Sequence, residues 1–294
     1  MGTLFRVVVY AESPFQAAEG IRAAFDRAAA LDQIFSDYKP DSELNRFCRQ
    51  GVDSPTPLSE DLFAILDRAQ RLAYRTRGAF DVTTGRTTRL WRAARKQAVM
   101  PQPDEVRQAR KASGYQHLYL DENGRYGTLT AEGIQLDLGG IAKGYAADEM
   151  IKTLAAQGLP RALVAASGDI RVGAAPPGRE GWRVAADQFD ERAGTFELVN
   201  RAISTSGDTE QYVEIDGTRY SHIVDPATGL GLTRRISVTV IADRAVDSDS
   251  LATAISILGP DKAHEVFPNV EAVITVIKDG KPVRTRLGAA KLAE

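Results

Sequence analysis

The sequence predicts an α+β protein built on antiparallel sheet. Strand-like stretches come in clusters with helix-like stretches scattered among them, whereas a doubly wound parallel sheet needs regular alternation. Trp182 to Ala186, Thr195 to Val199 and Ala202 to Thr205 alternate as antiparallel strands do. Tyr212 to Ile215 and Thr218 to Ser221 flank Asp216-Gly217, the strongest short-range hairpin signal in the chain. The 294 residues suit one large domain or two intimately packed ones. No linker or sharp composition shift divides them, so the expectation is a single domain over 1–294.

Taken in order, Thr3 to Tyr10 is rich in β-branched and apolar residues and reads as a strand. Ser13-Pro14-Phe15-Gln16 opens a helix: a serine N-cap, proline at the first helical position, glutamine three on. Ile21, Phe25, Ala28, Leu31 and Ile34 carry that helix to about Phe35. Asp37 to Phe47 reads as a polar turn followed by a short helix, and Gly51 to Leu58, with two prolines, reads as a loop. Ser59 caps a helix with Leu62, Ile65, Leu66, Ala69 and Leu72 on one face, ending at Gly78. Arg89-Leu90-Trp91 and Asp104 to Lys111 read as helices; His117 to Asp121, Gly127 to Thr130 and Ile134 to Leu136 as short strands.

Leu136 to Asp148 organises the rest. Its Leu-Asp-Leu-Gly-Gly-Ile-Ala-Lys-Gly-Tyr run reads as a strand, a glycine turn and the start of a helix reaching about Gln157. Ala162 to Ala166 is a strand too uniform to reveal its buried face. Ile236 to Ile241 is another, Asp249 to Leu258 a helix stopped by Gly259-Pro260, Asp261 to Val266 a short helix, and Glu271 to Ile277 a last strand.

Composition narrows the function classes. Hydrophobic content of 43% and charged content of 26% are those of an ordinary globular protein. A net charge of −2 gives no basic surplus for nucleic acid. Cys48 stands alone, so neither an intrachain disulfide nor a thiolate metal cluster is expected, and the three histidines lack paired metal-ligand spacing. No apolar run approaches the roughly 20 residues of a membrane span. The chain enters a strand almost at once, with no signal peptide, so the expectation is a cytoplasmic protein or one whose leader is left out.

Five stretches carry chemistry. The helix after Gly139-Gly140 offers free N–H groups and a positive dipole end to an anion, and Lys143 in its first turn adds a full charge. Asp249 and Thr253, four apart, share a helix face and present hard oxygen ligands suited to Mg²⁺; otherwise they are a dipole-favoured aspartate and a back-bonded threonine. His222, in Ser221-His222-Ile223-Val224-Asp225-Pro226, is the best-placed general base unless it is simply packed in the hairpin exit. Gly78-Ala79-Phe80-Asp81 could hold a heterocycle by stacking and hydrogen bonding, or supply Phe80 to the core; Ser167-Gly168-Asp169 could aim a carboxylate into a cleft or be a turn.

Together these stretches resemble the ApbE family, the FAD:protein FMN transferases. The resemblance takes in Met1-Gly2-Thr3, Ser36-Asp37-Tyr38 with Ser42, Gly78 to Asp81, Leu90-Trp91, Leu136 to Tyr145, Ser167 to Asp169, Thr205-Ser206-Gly207-Asp208, Ser221 to Gly229 and Asp249 to Thr253, in the family's order. It implies a single α+β unit of antiparallel sheets resembling tandem T-fold halves, with packed helices. It implies that Met1, Tyr38, Ala79, Phe80, Asp81, Asp137, Lys143 and Ile223 contact FAD. It further implies that Asp249 and Thr253 side chains, with the carbonyls of Gly140 and Ala252, hold Mg²⁺, and that His222 is the catalytic base, Asp169 or Asp208 being carboxylate alternatives. The implied activity is transfer of FMN from FAD to a serine or threonine hydroxyl of an acceptor redox protein bearing a short flavinylation motif, with release of AMP. The competing expectations are a Mg²⁺-dependent FAD pyrophosphatase and a flavin-binding protein without turnover. Two departures bear on loop geometry: Val82 stands where the family usually has proline, and Ser167 where it often has glycine. Many members carry a lipoprotein leader, which implies a periplasmic or membrane-anchored location if one precedes this chain.

Overall fold

A computed structural model describes residues 3–185, 195–207 and 211–288. In chain order the elements are β1 (Phe5–Val9), α1 (Pro14–Phe35), α2 (Glu43–Cys48), β2 (Thr56–Pro57), α3 (Glu60–Thr76), α4 (Gly85–Gln97), α5 (Pro103–Lys111), a 3-10 turn (Tyr115–His117), β3 (Leu118–Asp121) and β4 (Tyr126–Leu129). There follow α6 (Ala142–Ala156), β5 (Ala162–Ala166), β6 (Asp169–Val172), β7 (Trp182–Ala185), β8 (Thr195–Leu198), β9 (Ala202–Gly207), β10 (Tyr212–Ile215), β11 (Thr218–Ser221), β12 (Val224–Asp225), β13 (Leu230–Gly231), β14 (Ile236–Ala242), α7 (Ala245–Val266), β15 (Glu271–Lys278) and β16 (Lys281–Leu287). Antiparallel sheet with interspersed helices is the expected class. Among the described residues no helix is long and apolar enough to cross a membrane.

The chain packs as two compact units and passes between them four times. One unit holds residues 1–31, 140–206 and 236–294; the other holds 32–139 and 207–235.

The first is a sheet unit. Its seven strands lie in the order β1-β5-β6-β9-β14-β15-β16, and β1 with β5, β5 with β6, β6 with β9, β14 with β15 and β15 with β16 pair antiparallel. Strand periodicity sends alternate residues of β5 to opposite faces. Ala162 and Val164 join Ala24, Ala28, Met150 and Leu154 from α1 and α6, while Leu163 meets Trp182, Val184, Phe196 and Leu198 of the β7–β8 hairpin. Both faces are therefore covered, which is why the uniform β5 sequence names neither. The Ser13 hydroxyl accepts from Gln16 N at 3.2 Å, as the N-cap pattern foretells.

Three expectations need correcting. Ile134 to Leu136 forms no strand; a single parallel bridge joins Gln135 to Thr84. The loop Gly51 to Leu58 contains β2, which edges a small sheet of order β2-β4-β3. The last long helix begins at Ala245, four residues before Asp249, and breaks at Gly259, where φ is +77°. Its start has no local side-chain cap; Asp148 of α6 accepts from Ala245 N at 2.9 Å and Val246 N at 3.0 Å instead. β16 escapes sequence reading because a lysine- and arginine-bearing edge strand shows little apolar alternation.

The second is a helical unit. Leu62, Ile65, Leu66, Ala69 and Leu72 are buried on one face of α3, as their spacing requires. That helix ends with Arg77 in the left-handed region and Gly78 N donating to Ala73 O at 2.9 Å. Trp91 of α4 is buried with Val213 and Ile215 of the β10–β11 hairpin, and its indole N–H donates to Gly229 O at 2.8 Å.

Candidate active site

The sheet unit concentrates charge where α6 begins. Leu138 is buried, Gly140 turns the chain, and Ile141 caps α6 without any side-chain hydrogen bond. The first-turn N–H groups thus look for other acceptors. Gly144 N finds one in Asp249 Oδ2 at 2.9 Å, reaching from α7. Lys143 Nζ lies 3.3 Å from Asp249 Oδ1 and 3.1 Å from Asp169 Oδ2, on β6 just past the β5–β6 turn. Two buried carboxylates therefore share one ammonium. Burial, with repulsion from Asp169, pushes the Asp249 carboxyl up to about 7 against the opposing pull of Lys143 and Gly144 N. Burial opposes the charge on Lys143, yet Asp169 and Asp249 outweigh it and raise its pKa.

Close backbone approach makes this possible. A Cβ on Gly144 would lie 2.1 Å from Ala245 O, so only glycine lets α6 and α7 cross here. Asp148, one turn on, receives the first N–H groups of α7 and Arg171 Nε at 3.0 Å. The Ser204 hydroxyl on β9 meets the Ser248 hydroxyl at 2.7 Å, beside Asp249. The two helices are thus held in one register, which delivers Asp249 to the α6 terminus.

Asp249, Thr253 and the Gly140 turn also come together. A Cβ on Gly140 would sit 3.0 Å from Thr253 Oγ1, so the glycine backbone lies against that hydroxyl. Ala252 is buried between the two ligand candidates in sequence. Among the described residues no group of three or more His, Cys, Asp or Glu forms a metal cage. The side-chain donors present are hard oxygens, the Asp249 carboxylate and the Thr253 hydroxyl. That set fits Mg²⁺, which binds through one or two carboxylates and completes its shell with water and phosphate oxygens. Two carboxylates facing a single lysine leave anionic charge for such a cation to balance.

The helical unit holds the other expected residues. Asp137 Oδ1 accepts from Gly139 N at 2.7 Å, and Oδ2 from Arg92 Nη2 at 2.9 Å. Arg92 also pairs with Asp37, and its guanidinium carbon stands 4.5 Å from the centroid of the Tyr38 ring. Burial opposes the charge on Arg92, and Asp137 and Asp37 more than offset it. Phe80 is 4% exposed, the core outcome. Asp81 gives Oδ1 to Thr83 N and Thr83 Oγ1 at 2.8 and 2.7 Å, and Oδ2 to Tyr115 N at 2.9 Å. Its carboxylate therefore shapes the loop that presents Ala79 and Phe80. His222 Nδ1 lies 3.1 Å from Gln211 O; since a carbonyl only accepts, Nδ1 carries the proton and Nε2 is the basic nitrogen of the neutral ring. Ile223 is buried, its amide donating to Ser221 Oγ at 3.1 Å. Met1 and Asp208 lie outside the described residues.

Sequence reasoning missed Arg92 and the Lys143–Asp169 pair. Neither follows from spacing, because each partner arrives from a distant stretch. The Tyr38 and Asp137 carboxylate neighbourhood had one signal: Arg92 follows Trp91, whose helix was recognised.

The sequence model of the ApbE family matches residues 1–277. The chain belongs to the ApbE family. It is 33% identical over 295 residues to the FAD:protein FMN transferase of Salmonella typhimurium, covering 97% of this chain and 84% of that protein. The Escherichia coli protein of the same name is 32% identical over 295 residues, with the same coverage. Among solved structures, the flavin transferase ApbE from Vibrio cholerae matches with a TM-score of 0.85 and 30% identity, covering 99% of this chain and 95% of that one. The ApbE protein from Thermotoga maritima matches with a TM-score of 0.84 and 29% identity, covering 97% and 94%. The ApbE match runs through both units.

Proposed function

We propose that this ApbE-family chain transfers FMN from FAD to a serine or threonine hydroxyl of an acceptor protein and releases AMP, with Mg²⁺ required. The carrying observation is the Lys143–Asp169–Asp249 cluster at the α6 N-terminus, with Thr253 against the Gly140 backbone. An ammonium, a helix N-terminus and hard oxygen donors together suit a dinucleotide pyrophosphate.

Asp249 and Thr253, with the carbonyls of Gly140 and Ala252, would hold Mg²⁺. When bound, that ion supplies Lewis-acid stabilisation of charge on the phosphate oxygens. Lys143 adds a fixed positive charge for the pyrophosphate and favours the ionised form of Asp249 against the burial that opposes it. Tyr38, Asp137, Ile223 and the backbone of Ala79 and Phe80 bind and orient the flavin dinucleotide, Met1 joining them; Asp81 keeps the Ala79–Phe80 loop in shape. His222 takes the proton from the acceptor hydroxyl at Nε2 while its Nδ1–H stays on Gln211 O. The hydroxyl oxygen attacks the FMN-side phosphorus. The bond from that phosphorus to the bridging oxygen breaks, and AMP departs with that oxygen. A phosphoester-linked flavin remains on the acceptor, a redox protein with a Ser/Thr-containing motif.

Incubation with FAD, Mg²⁺ and a candidate acceptor tests this. The expected result is flavin fluorescence retained on the denatured acceptor, with AMP released in step. Free FMN with an unlabelled acceptor would establish hydrolysis instead, and intact FAD after long incubation would establish mere binding.

A further inference from the structure

The Asp37–Arg92–Asp137 cluster of the helical unit is more built than a surface ion pair. Arg92 pairs with Asp37, donates to Asp137 Oδ2 at 2.9 Å, and covers one face of the Tyr38 ring at 4.5 Å. Tyr38 is 68% exposed, so core packing does not account for where that ring stands. Everything around it is pinned. The buried Asn45 donates through Nδ2 to Ser36 O at 3.2 Å and Lys39 O at 2.8 Å, closing the turn that carries Asp37 and Tyr38. Arg89 reinforces it, donating to Asp37 O at 3.3 Å and Gln135 Oε1 at 2.7 Å. Asp137 N donates to Val82 O at 2.8 Å, and Gly139 N holds its other carboxylate oxygen. Arg92 itself follows Trp91, locked in place by its bond to Gly229 O.

With both backbones fixed and Gly139 N holding Asp137 Oδ1, two settings remain: the tilt of the Tyr38 ring and the direction of Asp137 Oδ2. One planar guanidinium restrains both, because its fork reaches two carboxylates while its face lies on the ring. Without it, two nearby carboxylates would repel each other and the exposed ring would rotate freely.

We propose that Arg92 is a positioning residue for FAD: it presets the Tyr38 ring and the Asp137 carboxylate in the geometry that receives the dinucleotide. This rests on the reading of Tyr38 and Asp137 as FAD contacts. Arg92 touches no reacting atom; it lowers the ordering cost of binding.

Calorimetric titration of the full chain with FAD in the presence of Mg²⁺ gives the test, in five forms: wild type, R92M, R92K, Y38A/D137N, and the triple variant R92M/Y38A/D137N. R92M is expected to weaken FAD binding about tenfold, a loss typical of a charge-assisted contact made in a preorganised site. In the Y38A/D137N background the same change should matter less than about twofold, because the groups it positions are gone. R92K keeps charge but lacks the fork, so it should still weaken binding severalfold at an unchanged melting midpoint, which guards against a merely unfolded R92M. Wild-type affinity in both R92M and R92K overturns the proposal, as does an equal factor in both backgrounds. Wild-type affinity in Y38A/D137N fails the flavin reading of those two residues, and Arg92 falls with it; wild-type affinity in R92M alongside weak binding in Y38A/D137N fails Arg92 alone.

Discussion

Asp249 sits where several demands meet: it accepts from the α6 terminus, pairs with Lys143, and lies one helical turn from Thr253. Removing its carboxylate would take away the charged ligand proposed for Mg²⁺ and one of the carboxylates that Lys143 faces. Asp249→Ala should therefore lower Mg²⁺-dependent transfer at least about 100-fold, the scale of losing a main electrostatic contributor. A Mg²⁺ titration of AMP release reads this, and a wild-type curve would refute the metal assignment. His222→Ala should bind FAD normally and transfer roughly 10²- to 10⁴-fold more slowly, since only proton removal is lost; unaltered single-turnover rates would eliminate it as base. Cys48 offers a check away from the chemistry. Burial pushes its thiol up, and its sulfur accepts weakly from Leu136 N at 3.4 Å. The reactive thiolate should appear only at higher pH than in an unfolded chain, so native protein should consume a thiol reagent roughly tenfold more slowly than urea-unfolded protein. At this scale helix spacing was legible: Asp249 and Thr253 lie four apart on α7. The sequence was silent on Asp169 as the partner of Lys143, and on Arg92, because ion pairs between remote stretches leave no periodic trace.

The pair α6 and α7 decides whether the charged cluster exists. Gly144 passes so close to Ala245 that a methyl group would collide with a backbone carbonyl, which cannot swing aside. Gly144→Ala should cost about 2–3 kcal/mol by overpacking and lower Tm by roughly 5 °C. It should also weaken Mg²⁺ dependence, since Asp249 would no longer reach Gly144 N. Thermal denaturation followed by circular dichroism checks the first part, and an unchanged Tm would contradict the close crossing. Elements with strong local codes were legible: the Ser13-Pro14 helix start, the α3 stripe and the Asp216-Gly217 hairpin all stand where expected. Those whose ends depend on tertiary partners were not. α7 begins early because Asp148 supplies its cap from another helix, and Ile134 to Leu136 lacks a strand neighbour beyond one bridge.

Taken whole, the molecule is expected to respond to its ligands as a thermodynamic unit. FAD at about 100-fold above its Kd should contribute about 2.7 kcal/mol to stability and raise Tm by several degrees. EDTA should remove part of that gain if Mg²⁺ and FAD bind together, and scanning calorimetry with FAD, with and without EDTA, would read it. An identical shift in both scans would show the two to be uncoupled. The antiparallel α+β class was visible from strand clustering alone, but the two-unit packing was not, because each unit draws on separated segments of ordinary composition. The order of those segments has a consequence for biosynthesis. Lys143 and Asp169 leave the ribosome while Asp249 is still unmade, and at ordinary elongation rates the delay is on the order of ten seconds. β1 waits longer still for β5, its sheet neighbour. A nascent chain must therefore carry β1 unpaired until β5 emerges, and the charged cluster at the α6 terminus incomplete until Asp249 does.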